Sequence, residues 1–307
     1  MRVYPAGRFE RWQLAMLLFM GLFGCLCGQT LAAQPCIGLV TGSNDKFWDQ
    51  MYSGSKAAGE QYGYDIYYRG PSKEDGYEAQ GAILEQFMQQ HCVGLLLAPN
   101  HPDRQRQVER IQAKGIVTVF LDRGLEGETS VPLVATDNYA AGRFAAKQML
   151  RLLPEGKTNI ALFRLQKDVL TTTKREQGFI DEATKNGLQI VLDLYAGTFL
   201  GDVKSLILNA LKQSKTPIHG IFTPNETTTT GAVGAVVFLK LTESPIMVGF
   251  DSNDVIEEAI KDGLLAGTVL QKPVDMGYMG VKLIHDYITE RKPIRSAVTD
   301  VEFHSKN

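Results

Sequence analysis

The stretch "LVTGSNDKFWDQMYSG" (39–54) connects a buried strand to a helix through a polar turn. An apolar run ends at Val40, "TGSND" supplies the turn, and a helix is predicted over about 47–62. Two large aromatic residues, Phe47 and Trp48, stand side by side at the start of this helix. Adjacent helical residues point about 100° apart, so at most one of the two rings can face the core squarely. The other ring is expected to face something else.

The same order of strand and helix repeats along the rest of the chain. The second predicted helix, for example, carries Ala79, Ile83 and Phe87 at helical spacing. The predicted strands are 36–41, 64–70, 93–99, 116–124, the start of 133–153, 159–166, 188–197, 218–225, 246–254, 264–273 and 297–303. The predicted helices are 47–62, 76–90, 103–115, the rest of 133–153, 171–187, 202–214, 227–241, 255–263 and 274–290. Such alternation indicates an α/β fold with two doubly wound, Rossmann-like parallel-sheet lobes, because a second series of units begins near residue 134.

Length and charge exclude several classes of function. The chain has 307 residues, of which 44% are hydrophobic and 21% charged, an ordinary globular composition long enough for two domains. The formal net charge is -2 and no long basic stretch occurs. We therefore expect neither nucleic acid nor an anionic membrane surface as a partner.

The first 33 residues differ from the rest of the chain. Arg2, Arg8 and Arg11 precede the apolar run "WQLAMLLFMGLFGCLC", and small residues follow it. This pattern predicts a secretory signal over 1–33, removed after Ala32 or Ala33. The apolar run is short for a spanning helix, which needs about 20 residues. Two alternatives stay open: a retained anchor, and a lipoprotein signal in which "LFGC" ends at the modified Cys25.

Two cysteines remain after the predicted signal. Cys36 and Cys92 each begin the apolar run of a predicted strand. If these strands are parallel neighbours, about 4.8 Å apart, the thiols lie within bridging range. An exported protein with an even pair of cysteines favours a disulfide, and two buried free thiols are the alternative.

The candidate functional residues are the polar ones at the carboxyl ends of the predicted strands, where doubly wound sheets bind their ligands. They are Asn44, Asp45, Arg69, Asn100, Asp122, Arg123, Asp137, Asn225, Asp251 and Gln271. The set is poor in nucleophiles and general bases, and the chain has no G-x-S-x-G, no P-loop and no G-x-G-x-x-G after the first strand. The cysteines and the five histidines form no metal-ligand pattern, so we expect no metal and no cofactor.

Seven motifs in order give the chain a resemblance to a known family. They are "DKFWDQMYSG", "FLDRG", "VATDNYAAG", "REQGF", "FTPNE", "VGFDSND" and "DGLLAGTVLQKP". From Ile37 to about Phe303 the chain resembles the periplasmic sugar-binding proteins of the ribose- and galactose-binding type (periplasmic binding protein type I), whose fold is shared with the lac-repressor core. The resemblance implies two lobes joined by a three-strand hinge that close over a ligand. A repressor is not expected, because a signal peptide stands where a DNA-reading headpiece would be.

The resemblance also implies a ligand site. Phe47 and Trp48 match the aromatic pair that sandwiches the sugar ring, and Asp122 and Arg123 match an acid–base pair at the end of the fourth strand. Further polar contacts are implied at the ends of strands in the second lobe and at the hinge: Asn225, Asp251 and Gln271.

Each of these positions also has a purely structural role open to it. One aromatic ring can hold the helix start against the core, and Asp122 can cap a turn and pair with Arg123. Asn225 and Asp251 can act as helix N-caps, and Gln271 can bond to hinge backbone.

Two departures from the family pattern concern the charge of the site. Thr173 stands where an arginine is usual, two residues before Arg175, and Asp45 stands where asparagine is frequent. Three carboxylates around a neutral ring repel one another unless donors intervene. We therefore hypothesise a ligand with more donors than plain ribose, such as an amine or a larger polyol.

The resemblance places the chain crossings near Asp137-Asn138, near Gln271-Lys272 and near Ile294. The expected domains are the signal peptide over 1–33, an N-terminal lobe over 34–137 plus 272–294, and a C-terminal lobe over 138–271 plus 295–307.

The expected function is a monomeric, non-enzymatic periplasmic binding protein. It captures a sugar, polyol or amino sugar by hinge closure and delivers it to the membrane permease of an ABC importer. One alternative is a sensing subunit that docks on a membrane histidine kinase or chemoreceptor. A second alternative, from another class, is a periplasmic hydrolase that uses Asp45 and Asp251 as paired carboxylates.

Overall fold

The computed structural model describes Met1 and residues 34–306, apart from 74–75, 126, 128–129, 168 and 241–243. The predicted signal peptide and the alternative lipidation site at Cys25 lie outside the described residues. None of the helices in the described part of the chain is long and apolar enough to cross a membrane.

Strands and helices alternate through the described residues, as the sequence predicts. The strands are β1 Cys36–Val40, β2 Asp65–Arg69, β3 Cys92–Leu97, β4 Val117–Leu121, β5 Leu133–Thr136, β6 Asn159–Arg164, β7 Gln189–Tyr195, β8 Gly220–Phe222, β9 Ile246–Phe250, β10 Gly267–Leu270, β11 Ala297–Thr299 and β12 Glu302–His304. The helices are α1 Lys46–Tyr62, α2 Tyr77–Phe87, α3 Arg104–Ala113, α4 Asn138–Leu152, α5 Leu170–Lys185, α6 Leu200–Gln213, α7 Glu226–Leu239, α8 Asp254–Lys261 and α9 Pro273–Glu290.

The strands form two six-stranded sheets with the same internal order. The first runs β11-β5-β4-β3-β1-β2 and the second β12-β10-β9-β8-β6-β7. Every pairing in the first sheet is parallel, and in the second only β12 runs antiparallel to its neighbour, β10. The predicted fold class is confirmed. We call the first sheet with α1, α2, α3 and α9 the N-terminal lobe, and the second sheet with the other five described helices the C-terminal lobe.

The final crossing between the sheets lies elsewhere than expected. A single strand over 297–303, entered near Ile294, is predicted, but β11 pairs with β5 in the first sheet and β12 pairs with β10 in the second. The chain therefore passes between the sheets at residues 300–301, and residues 297–299 belong to the N-terminal lobe. The pattern of "AVTDVEF" continues without a break through this passage, so it does not reveal where the strand changes partner.

Each sheet is buried on both faces because its inner strands are continuous apolar runs. In β1, Leu39 packs towards α1 and α9 while the next residue, Val40, packs towards α2 and α3. Both side chains are fully buried. In the second sheet, Phe179 of α5 stacks on Phe222 of β8, with ring centroids 3.9 Å apart.

Glycines bring two helix pairs into backbone contact, one pair in each lobe. A Cβ atom added at Gly54 of α1 would lie 1.9 Å from a carbonyl oxygen of α9, and one at Gly277 of α9 would lie 2.0 Å from a carbonyl oxygen of α1. The equivalent distances for Gly142 of α4 and Gly178 of α5 are 1.9 and 2.1 Å. No other residue fits these contacts, so both pairs have a fixed crossing.

A disulfide joins Cys36 and Cys92, as the sequence favours. The two residues are register partners at the first positions of the parallel strands β1 and β3. The bond therefore lies at the amino ends of these strands, and the carboxyl ends lead to the residues of the candidate site.

Candidate functional site

A cavity of about 470 Å³ lies between the two lobes. Its volume is typical of sites for small ligands, which span roughly 300–1,000 Å³. The N-terminal lobe contributes the first turns of α1, with Lys46, Phe47 and Gln50, and the start of α9. The C-terminal lobe contributes residues that follow β8, β9 and β10: Glu226, Asp251, Ser252, Glu257, Leu270 and Gln271. The cavity thus opens where the strands end, as the fold class leads one to expect.

The two adjacent aromatic residues face different ways. Phe47 lines the cavity, whereas Trp48 is 1% exposed and packs in the core of the N-terminal lobe. Their rings meet edge to face, with centroids 5.0 Å apart and planes at 87°. The ring that the sequence predicts to face something other than the core is therefore that of Phe47. A ligand contact by Trp48 stays a prediction.

Asp45 fixes the start of the helix that carries Phe47. Its Oδ1 atom accepts a hydrogen bond from the Phe47 backbone N–H at 3.1 Å, and Ser43 Oγ donates to its Oδ2 at 2.7 Å. This is an N-cap, which satisfies a backbone donor that the helix leaves unpaired. The carboxylate thereby sets the direction of the Phe47 side chain.

Asp122 follows β4 in a left-handed backbone conformation. Its φ is 62°, and its N–H donates to Val134 O at 2.9 Å. Arg123 Nε donates to Asp122 Oδ2 at 3.1 Å, and the guanidinium lies 5.3 Å from the centroid of the Trp48 ring. Non-glycine residues held at positive φ cluster at functional sites. The acid–base pair is formed, and its ligand contact stays a prediction.

Asp251 follows β9 in the same conformation, also with φ 62°. Gln271 Nε2 donates to its Oδ1 at 2.7 Å, and Arg175 Nη1 lies 3.8 Å from its Oδ2. The alternative that Asp251 is a helix N-cap is wrong: Asn253 caps α8, since its Oδ1 accepts from the Ile256 N–H at 3.0 Å. The Asp251 carboxylate instead lines the cavity.

Gln271 lines the cavity and has one buried side-chain acceptor without a partner among the described residues. The residue is 8% exposed, its Nε2 is used by Asp251, and its Oε1 is buried without a hydrogen bond from any described residue. Buried polar atoms are nearly always hydrogen-bonded, so an unpartnered one beside a cavity indicates a place for a ligand donor.

Besides Asp45, Trp48, Asp122 and Arg123, two further predicted residues do not line the cavity. Asn225 is the N-cap of α7, and its Oδ1 accepts from Thr228 N at 3.2 Å and from Thr228 Oγ1 at 2.7 Å. Thr173 is exposed in the first turn of α5. Their contact with a ligand stays a prediction.

Arg175 is a residue of the site that sequence reasoning missed. It is 3% exposed, and it donates to Asn138 Oδ1 at 2.7 Å and to Pro224 O at 2.9 Å in addition to facing Asp251. Burial lowers the pKa of its guanidinium, against the opposing effect of Asp251 and Asp122. A single side chain thus ties the start of α4 and the ends of β8 and β9 together. Its place in the "REQGF" motif was the available signal.

Asn100 is one of the predicted candidates at the strand ends, although the resemblance assigns it no ligand contact. Both side-chain amide atoms are buried without a partner among the described residues, while its backbone N–H donates to Gln80 Oε1 at 3.0 Å. The sequence offered a signal, because "APN" after β3 matches "TPN", which ends at Asn225 after the equivalent strand β8.

Glu226 is a second residue of the site that sequence reasoning missed. It is half-buried in the cavity wall, and its Oε1 accepts from Asn253 Nδ2 at 2.8 Å. Burial raises the pKa of its carboxyl, the Asn253 hydrogen bond lowers it, and the charges of Asp45 and Asp251 raise it further. The charge of Lys46 lowers this pKa, and because Asp45 and Lys46 both belong to the other lobe, Glu226 experiences charges of both signs across the cavity.

One exposed ion pair joins the lobes beside the cavity. Lys46 Nζ of α1 lies 3.2 Å from Asp254 Oδ1 of α8. Exposed pairs are weak, so this contact holds the lobes together only loosely. The described residues contain no group of three or more His, Cys, Asp or Glu side chains that could hold a metal ion.

Comparisons with known proteins agree with this architecture. The D-allose-binding periplasmic protein of Escherichia coli (strain K12) is 26% identical over 264 residues, which cover 83% of this chain and 84% of that protein. A solved periplasmic component of an ABC-type sugar transport system from Hahella chejuensis is 33% identical, with a TM-score of 0.81, and the match covers 88% of this chain and 100% of that one. An ABC transporter solute-binding protein from Agrobacterium vitis, solved with bound D-fucose, is 28% identical, with a TM-score of 0.79 and coverage of 88% and 95%.

The family model described as a periplasmic binding protein domain matches residues 37–292. This range includes ten of the twelve described strands, and β11 and β12 follow it. The match begins in β1 and therefore includes the segment with Asp45 and Phe47 as well as the crossing at Gln271. The chain belongs to the periplasmic binding protein domain family.

Proposed function

We propose that this chain is a periplasmic solute-binding protein that captures a small polyhydroxylated ligand, a sugar or a sugar-like compound, between its lobes. The observation that carries the proposal is the cavity at the strand ends, with the Phe47 ring on one wall and the unpartnered Gln271 Oε1 on the other. The similarity to proteins named for sugar binding and sugar transport supports it.

The chemistry of the cavity suits a sugar ring. The C–H faces of such a ring pack on a flat aromatic surface, and its hydroxyls need acceptors and donors held in fixed directions. Phe47 offers the surface, Asp251 offers a charged acceptor, and Gln271 offers an amide oxygen. The proposed contacts keep the full set predicted from the sequence: Asp45, Phe47, Trp48, Asp122, Arg123, Thr173, Asn225, Asp251 and Gln271.

Closure of the lobes is the proposed mechanism. Three segments connect the lobes, and a ligand that contacts both walls favours the shape in which the walls are close. We propose that the closed monomer then docks on the permease of an ABC importer, which receives the ligand. The names of the relatives favour this partner over a sensor kinase or chemoreceptor.

We propose binding without turnover. The two carboxylates of the hydrolase alternative have structural partners, because Asp45 caps α1 and Asp251 is held by Gln271 and faces Arg175. A carboxylate engaged in this way is a fixed acceptor.

Titration calorimetry against pentoses, hexoses and polyols tests the proposal. Phe47→Ala removes the aromatic wall, and we expect it to weaken the tightest binder about tenfold, the value of one lost ring contact. Phe199→Ala is the matched control, because Phe199 is 71% exposed and does not line the cavity. Failure of every sugar and polyol to bind, or equal affinities for both variants, would contradict the proposed function.

A further inference from the structure

The charges on the cavity wall are unbalanced towards the negative. Four carboxylates line it, those of Glu226, Asp251, Glu257 and Asp275, and two lysines, Lys46 and Lys272. Both lysines are engaged by carboxylates that do not line the cavity. Lys46 lies 3.2 Å from Asp254, and Lys272 donates to Glu302. Each lysine therefore already has a carboxylate partner, although the charge of Lys46 also favours the ionised form of Glu226.

The carboxylates differ in how well they are neutralised. Asp251 faces the buried Arg175, and Glu257 accepts from Ser252 and lies 2.9 Å from His304 Nε2. Glu226 receives a neutral amide donor, Asn253 Nδ2, at its Oε1. Of these three, Glu226 is the one that has no cationic or imidazole side chain in direct contact among the described residues; the charges of Asp45 and Asp251 disfavour its ionised form, and the more distant charge of Lys46 favours it.

A second, independent observation points to a missing donor at the same wall. Gln271 is more than nine-tenths buried, and its Oε1 accepts nothing from the described residues. A carboxylate and an amide oxygen, both on the C-terminal lobe and both lining one cavity, call for a ligand that brings several N–H or O–H groups.

We propose that the ligand of this cavity is a hydroxylated ring that carries a protonated amine, an amino sugar, and that Glu226 binds the amine. This inference rests on the proposed function and narrows it. An ammonium group supplies three donors and a positive charge, so it satisfies Glu226 as a charge-assisted bond and relieves the repulsion from Asp45 and Asp251. The hydroxyls of the ring serve Gln271 and Asp251.

Calorimetry on the wild-type protein with hexosamines and their parent hexoses, at one pH and one salt concentration, tests the inference. The probes are D-glucosamine, D-galactosamine, a 3-amino and a 6-amino hexose, and the four corresponding neutral sugars. We expect at least one amino sugar to bind about tenfold more tightly than its parent, and Glu226→Gln to abolish that preference.

Glu258→Gln is the matched control, because it removes the same charge from an exposed position in the C-terminal lobe that does not line the cavity. It should leave the preference within about twofold. A merely structural Glu226, needed to orient Asn253, would lower the affinity for both sugars of a pair and leave their ratio unchanged.

The outcomes separate the two proposals. If neutral sugars bind and no amino sugar is preferred, or if Glu226→Gln retains the preference, the inference is wrong and the proposed function stands. If neither class of sugar binds, both are wrong.

Discussion

Asp122 and Asp251 occupy equivalent positions in the two sheets, yet they are held in different ways. Each follows the third strand of its sheet order, each has φ 62°, and each donates its N–H to the neighbouring strand. Asp122 pairs with the next residue, Arg123. Asp251 takes its partners from Gln271 and from Arg175, a residue 76 positions earlier in the chain.

The difference shows which contacts hold each wall of the cavity in place. In the N-terminal lobe the charged pair is local and rests on a core aromatic, Trp48. In the C-terminal lobe the carboxylate is part of a buried network that also holds the start of α4 and the end of β8. The second wall is therefore held by contacts between residues that lie far apart in the chain.

The largest expected effect comes from replacing each of the two aspartates by asparagine. Asparagine tolerates positive φ and keeps the side-chain oxygen, so the change isolates the charge. Asp251→Asn leaves a buried guanidinium without its nearest carboxylate, and we expect a loss of about 3 kcal/mol in the free energy of unfolding. Asp122→Asn should cost about 1 kcal/mol, because Arg123 is partly exposed and keeps its aromatic contact. Urea unfolding measures both, and equal losses would remove the distinction between the walls.

The next largest effect comes from replacing a glycine at each of the two close helix contacts, and it should be the same in both lobes. Gly277→Ala and Gly142→Ala each place a Cβ atom 2.0 Å or less from a carbonyl oxygen of the facing helix, so the helices must separate. We expect each to lower the free energy of unfolding by about 2 kcal/mol. Gly201→Ala is the control, since its Cβ would meet only the exposed Phe199 ring at 3.2 Å and alanine favours the helix. A difference of more than about 1 kcal/mol between the two lobes would show that their helix pairs are not equivalent.

The smallest effect concerns pH and the C-terminal lobe alone. Burial raises the pKa of Glu176 from 4.5 to about 6, although Arg164 Nη1, 3.2 Å away, favours the charged form. Folding therefore takes up a proton between pH 4.5 and about 6, and the stability of the native chain falls as the pH rises through that window.

Glu176→Gln should remove this fall, which we expect to be about 1 kcal/mol after screening. The glutamine keeps an oxygen for the Leu165 N–H, and Arg164 keeps Asp193 as its partner. The check is the midpoint of urea unfolding at pH 4.5, 5.2, 6 and 7. A wild-type midpoint that rises across this series would contradict the assignment.

The fold was predictable because its information is local. Apolar runs of strand length alternate with helical periodicity, and α1 and α9 begin within one residue of their predicted starts. The prediction of a single final strand was wrong for the same reason. The segment "AVTDVEF" looks like one strand, and nothing local marks residues 300–301, where the chain passes from one sheet to the other.

The site was predictable to the extent that its contacts join residues close together in the chain. Asp122 and Arg123, which pair, are adjacent in the chain. Phe47 and Trp48, whose rings point in different directions, are also adjacent. Arg175 escaped because its partners are 37, 49 and 76 residues away, and such distances leave no pattern in a single sequence. The structural alternative for Asp251, the helix cap after β9, is wrong because Asn253, two residues later, caps α8.

The disulfide has a consequence for the order of events in biogenesis. It closes a loop with a sequence separation of 56 residues, and both Asp45 and Phe47 lie inside that loop. Closing such a loop restricts the unfolded chain by about 4 kcal/mol in the entropic treatment. Disulfides form in oxidising compartments such as the periplasm, so with the location proposed above the segment that carries one wall of the cavity is covalently enclosed after export and not before it.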